Sequence, residues 1–266
     1  MEYADYGEII GQAGTVLRAN AMSAGLDAPV PTCPGWKVSD LVLHQGVVHR
    51  WAVDVLEGRG MGDGKAHHKA GRKAKDLLDW FDEGWAELLH VLGSVPEDLD
   101  VPFFLRTGDS PRVGWARRQA HETVVHAVDA MAARLGRTPE PSELWLKPPV
   151  AVDGIDELLR GFVPRKRIGQ LRAAEPMSVV VIADDVADSA AASTRADGGG
   201  AGTAWTLHVS GEPTTTELGA VDSPDVVLRG PAVALYLALW NRGDALVEDP
   251  RGFLDQWHRQ VVITWA

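Results

Sequence analysis

The feature that most constrains this chain is a single change of hydrophobic period. Up to about residue 136, apolar side chains recur at helical spacing. From Ser178 onward they run in short β-branched or alternating stretches. A helical block followed by strands predicts an α+β protein, with an N-terminal four-helix bundle and a small α+β C-terminal domain.

Four helices are expected in the first block. Tyr6, Ile9, Ile10, Ala13, Val16, Leu17 and Ala21 form one stripe, with Asn20 its polar member and Gly25 its end. Ala28 to Trp36 holds three prolines and a glycine and cannot be a helix interior. Ser39 is the expected N-cap of a second helix, whose stripe is Leu41, His44, Val48, Trp51, Ala52 and Val55. A Lys-rich loop leads to a third, with Leu77, Leu78, Phe81, Trp85, Leu88, Leu89 and Leu92, stopped by Gly93. The fourth runs from near Pro111 to Gly136, with Ala120, Val124, Val128, Met131 and Leu135 on one face.

In the second block, strands are expected at Ser178–Ala183, Trp205–Val209, Pro213–Leu218 and Asp225–Leu228. Gly230-Pro231 opens a helix carrying Val233, Leu235, Leu237, Leu239 and Trp240, and Pro250 opens a last one with Phe253, Leu254, Trp257 and Val261. The glycine-rich stretch 196–202 reads as a flexible loop. Residues 1–140 are expected to form the bundle, 141–172 a connection and 173–266 the α+β domain.

Composition excludes several function classes. Hydrophobic residues make up 45% of the 266, too many for a disordered chain. One cysteine, Cys33, excludes an internal disulfide and any CxxC motif. No apolar run reaches the roughly 18 residues of a membrane span. The acidic N-terminus lacks a basic region ahead of an apolar one, so the chain reads as cytoplasmic. A net charge of −11 argues against general nucleic-acid binding. The ten tryptophans, spread along the chain, suit packing better than a base-stacking platform.

The chemistry lies in histidines and one glutamate. His121 and His126 are five apart, ~140° from each other around a helix, so they cannot act as a zinc-protease pair, which needs four. Glu122 and His126, at i and i+4, do share a face. They read either as a solvated pair or as two ligands of one metal. His44, on the inward stripe of the second helix, is the best third ligand, because an inward imidazole needs a polar partner. Two His and one Glu around Zn²⁺ leave a position open, as in catalytic sites. Asp129 could accept the other ring N–H of His126. Glu122, His126 and Asp129 lie opposite Val124, Val128 and Met131, so a functional site here requires a helix buried on both sides. His67 and His68 read as solvated, His49 as exposed, the Arg117-Arg118 pair, one turn before Glu122, as a surface pair or else an anion site, and Cys33 as a small packed residue.

The strings Pro29-Val30-Pro31-Thr32-Cys33-Pro34-Gly35-Trp36 through His44, and Ala116 through Ala130 with His121-Glu122-Thr123-Val124-Val125-His126 at its centre, resemble the mycothiol-dependent maleylpyruvate isomerase family. Asp225 to Ala232, before Leu239-Trp240-Asn241-Arg242, resembles that family's C-terminal domain. The resemblance implies a DinB-like bundle followed by a sterol-carrier-like domain, with His44, Glu122 and His126 as metal ligands. It also matches Arg242 to an arginine that serves the substrate site.

By the same resemblance, Zn²⁺ or another divalent metal activates a mycothiol-like thiol as cosubstrate. The thiolate adds to a conjugated double bond of a small, anionic electrophile, and rotation and elimination follow; in a transferase the sulfur would stay attached. Two other readings remain open at this point: a zinc-dependent hydrolase activating water, and a non-catalytic sensor of a small ligand. Neither nucleic acid nor membrane is an expected partner.

Overall fold

The computed structural model describes residues 1–165, 171–187 and 202–263. These divide into two compact units, Met1–Pro139 and Glu140–Ala266. In the first, α1 (Tyr3–Ala24), α2 (Val38–Leu56), α4 (Leu77–Ser94) and α5 (Pro111–Leu135) form a four-helix bundle, with a short α3 (Lys65–Gly71) beside α2. Tyr6, Ile9, Ile10, Ala13, Leu17 and Ala21 of the α1 stripe are buried. Asn20, its polar member, accepts a hydrogen bond from Arg134 of α5. Gly14 lets the Trp85 ring lie against the α1 backbone, where its Nε1 donates to the Ile10 carbonyl at 3.2 Å.

The helix ends follow capping chemistry. Asp76 accepts from the Leu78 and Asp79 amides at the start of α4. Ser110 and Pro111 open α5, and Gly136 closes it in the left-handed region, φ 69°. Ser39 is not the cap of α2. The helix starts two residues earlier, at Val38 with Lys37 in the cap position, and Asp40 accepts from the Lys37 amide at 3.0 Å instead. The Lys-rich loop is also more ordered than expected, since it contains α3. There His67 is half-buried, its Nε2 2.6 Å from Asp54 Oδ2, while His68 is exposed as anticipated.

α5 positions the site. It packs on α1 and on α2, and every residue from Gly114 to Ala133 is buried. The doubly buried helix that the wheel argument required is therefore present. It also corrects the reading of Arg117 and Arg118 as surface residues. Both are buried, with Arg117 Nη1 3.3 Å from Asp109 Oδ2 and Arg118 on Glu122. His49 is corrected likewise: it is fully buried between α2 and α5, beside Gln45 and Thr123.

The second unit is built on a mixed sheet of order β3-β2-β1-β4. β1 (Met177–Ala187) pairs antiparallel with β2 (Gly202–Val209) and parallel with β4 (Val226–Gly230); β3 (Thr215–Leu218) adds to β2. Val179, Val180 and Val181 of β1 are buried in succession, as expected for a central strand covered on both faces. The stretch 141–172, expected as a connection, is part of this unit. It carries a 3₁₀ turn, α6 (Pro148–Asp156) and a π-helical turn (Glu157–Phe162), and α6 packs on α7 (Ala232–Leu239) and on β1. α7 is buried all round, and α8 (Phe253–Gln260) buries Phe253, Leu254 and Trp257. The glycine-rich stretch 196–202 lies outside the described residues, except for Gly202 at the start of β2. No helix among the described residues is long and apolar enough to cross a membrane.

Candidate metal centre

His44 comes from the inward stripe of α2, and Glu122 and His126 from successive turns of α5. Their ligand atoms all lie within 4.8 Å of one another. Glu122 Oε1 is the hub: it sits 3.4 Å from His44 Nε2 and 3.3 Å from His126 Nε2. The two imidazoles meet edge to face, ring centroids 4.9 Å apart. Exposure is uneven. His44 keeps 18% of its side-chain surface accessible and Glu122 6%, so the cluster opens toward solvent on the His44 side.

A shell of partners fixes each donor. Asp129, wholly buried, brings Oδ2 to 2.9 Å from His126 Nδ1. With Nδ1 engaged there, Nε2 faces the cluster. Asp129 also anchors the proline-rich segment before α2, since Thr32 Oγ1 donates to Oδ1 at 2.6 Å and the Cys33 thiol to Oδ2 at 3.3 Å. That anchoring brings Trp36 over the site. Its ring stacks beside His126, centroids 6.2 Å apart at 17°, and tilts against His44 at 5.2 Å. On the far side, Arg118 Nη2 donates to Glu122 Oε2 at 3.1 Å.

The electrostatics follow from these contacts. Burial would raise the Glu122 carboxyl, but the bonds to His126 and His44 and the Arg118 charge outweigh it and hold the group well below the usual carboxylate range. Burial lowers His44, with the Glu122 bond opposing. For His126, burial is again outweighed, here by Asp129 and Glu122, and the imidazole is pushed up to about 9. Glu122 Oε1 thus faces the Nε2 of both imidazoles, while Asp129 backs His126 from its other ring nitrogen.

The distances test whether a metal fits. Tetrahedral ligands ~2.0–2.1 Å from one ion stand about 3.3 Å from each other. The two Nε2–Oε1 separations match that edge. An N₂O donor set also suits zinc and its neighbours.

The expected quartet His44, Glu122, His126 and Asp129 is therefore assembled in one place. Arg242 is in the second unit, just after α7. It is half-buried, its amide donates to the Leu237 carbonyl at 2.7 Å, and its Nη1 donates to the Trp240 carbonyl at 2.7 Å. Sequence reasoning missed Arg118, Trp36 and Thr32 as neighbours of the site. Arg118 was detectable, because it stands one turn before Glu122 at i−4. Trp36 and Thr32 reach the site by a chain reversal that no periodicity reports.

Fold and cluster together define a two-unit protein, a helical bundle with an inward His/Glu/His set followed by a mixed-sheet unit. The family model for the mycothiol maleylpyruvate isomerase N-terminal domain matches residues 9–131, and that for the MDMPI C-terminal domain matches residues 149–259. The chain belongs to the mycothiol maleylpyruvate isomerase family. Solved structures of the mycothiol-dependent maleylpyruvate isomerase and of a histidine-to-alanine mutant of it are similar in fold. Each aligns with a TM-score of 0.60 at 13% identity, over 95% of this chain and 94% of that chain. No curated protein matches the chain by sequence.

Proposed function

We propose that the chain is a thiol-dependent isomerase of small, anionic electrophiles, using a mycothiol-like cosubstrate and a divalent metal, zinc by its donor set, held by His44, Glu122 and His126. One observation carries this reading: a three-donor cluster, its ligand atoms all within 4.8 Å of one another and both Nε2–Oε1 separations near a tetrahedral edge, lies in a chain whose two halves both match the family. The bound metal would supply a Lewis acid that lowers the pKa of a thiol.

The chain's own residues do the rest. Asp129 keeps His126 in one orientation and ties down the segment bearing Trp36. Trp36 stands against both imidazoles, 5.2 Å from the His44 ring and 6.2 Å from the His126 ring, and forms an aromatic wall of the cluster. Cys33, the one cysteine, donates its hydrogen to Asp129 and helps tie down this segment; the reacting sulfur is assigned to the cosubstrate. Arg242 is proposed as the anion partner of the substrate.

The test is melting of metal-loaded and metal-stripped protein in a titration with mycothiol, alongside an assay of maleylpyruvate isomerisation. Stabilisation by the thiol only when metal is present, together with turnover, is expected. Equal shifts in both forms, or none in either, would remove the thiol and favour water activation or ligand sensing. Retention of the sulfur in the product would make the enzyme an S-transferase.

A further inference from the structure

We propose that Arg118 is a positioning residue: it holds the outer oxygen of Glu122 so that a single oxygen is offered to the metal, and its charge offsets that carboxylate so that the loaded site accepts an anion. This rests on the metal reading above and adds a residue to it.

The geometry is specific. Arg118 and Glu122 lie one turn apart on α5, and Arg118 is fully buried. The two carboxylate oxygens have different neighbours. Oε1 faces both imidazoles, at 3.4 and 3.3 Å, and Oε2 takes the Arg118 hydrogen bond at 3.1 Å. A carboxylate so divided presents one oxygen to an ion between the imidazoles. Turning to present both would break a charge-assisted bond to a fully buried guanidinium.

Charge gives the second half. A fully buried guanidinium requires a counter-charge, which Glu122 supplies. With both imidazoles neutral, as metal ligation requires, Arg118, Glu122 and Asp129 together carry one net negative charge, so a divalent ion brings this group to net positive by one. One monoanion then brings it to neutrality. Without Arg118 the loaded site would already be neutral, and an anion would enter against no net attraction.

The probes are Co²⁺ as the metal and 2-mercaptoethanol as the thiol, read in wild type, Arg118→Met and Arg118→Lys. X-ray absorption of Co²⁺-loaded wild type should show one carboxylate oxygen in the metal's shell; two would overturn the proposal without recourse to a variant. Arg118→Met should weaken the visible Co²⁺ bands as coordination number rises, and should lower thiol affinity about tenfold, the low end of what removing a partner of a metal ligand costs in metal affinity or activity. Arg118→Lys, keeping charge and a donor, should restore both to within about threefold. A purely structural role would lower the melting temperature of both variants yet leave the spectrum and thiol affinity unchanged, and that outcome refutes the proposal. If wild type binds no Co²⁺, or a Glu122→Ala, His126→Ala double variant binds it equally well, the metal reading itself fails. Tight wild-type binding through those residues with an unaltered Arg118→Met spectrum and thiol affinity would overturn the Arg118 assignment alone.

Discussion

His49 gives a prediction whose size follows from the structure. It is wholly enclosed between α2 and α5, its Nε2 2.7 Å from Gln45 Nε2 and 3.0 Å from Thr123 Oγ1, while Nδ1 has no partner among the described residues. Burial pushes its pKa from the ordinary 6.5 down to about 3. The folded state keeps His49 neutral down to that value, whereas the unfolded chain takes up a proton below 6.5. The stability gained from neutral burial is therefore intact above 6.5 and is lost progressively as pH falls toward 3. Between pH 7 and pH 5 the loss is about 2 kcal/mol. His49→Gln removes the titrating group and keeps a polar side chain. Urea unfolding of both proteins across that range should show wild type losing about 2 kcal/mol more than the variant. Titrations elsewhere are common to both and cancel. A difference that stays constant with pH, or that moves in favour of wild type as pH falls, would refute the reasoning.

Other outcomes follow from the same contacts. Asp129→Ala should release His126, Thr32 and Cys33 together, weakening metal binding about 10- to 100-fold in a chelator competition and altering Trp36 fluorescence. On α1, Gly14→Ala should destabilise by about 1–3 kcal/mol, because its Cβ would collide with the Trp85 ring. Gly11→Ala on the same helix, with open space around it, should be neutral or stabilise by up to about 1 kcal/mol in the same denaturation assay.

How far the site was legible in the sequence depended on burial. His44 stood out because an imidazole on an otherwise apolar stripe must find a partner inside. Glu122 and His126 stood out by their i, i+4 spacing. What misled was the assumption that a helix has one solvated side. α5 has none over twenty residues, so its polar positions are interior contacts rather than surface. That one fact accounts for the errors at Arg117 and Arg118. His49 failed for a related reason: α2 faces α4 as well as α5, so a position off the His44 stripe still points inward. The strands were found within a few residues of their ends. The segment before β1 was expected as a connection, yet Pro148 and Pro149 stand in the first turn of α6, where proline is tolerated.

The account turns on whether the three donors hold an ion. Elemental analysis of purified protein, beside a Glu122→Ala, His126→Ala double variant of matching fold by circular dichroism, measures this directly. About one divalent ion per chain in the wild type and essentially none in the variant is expected. Equal metal content in both proteins would contradict the central claim.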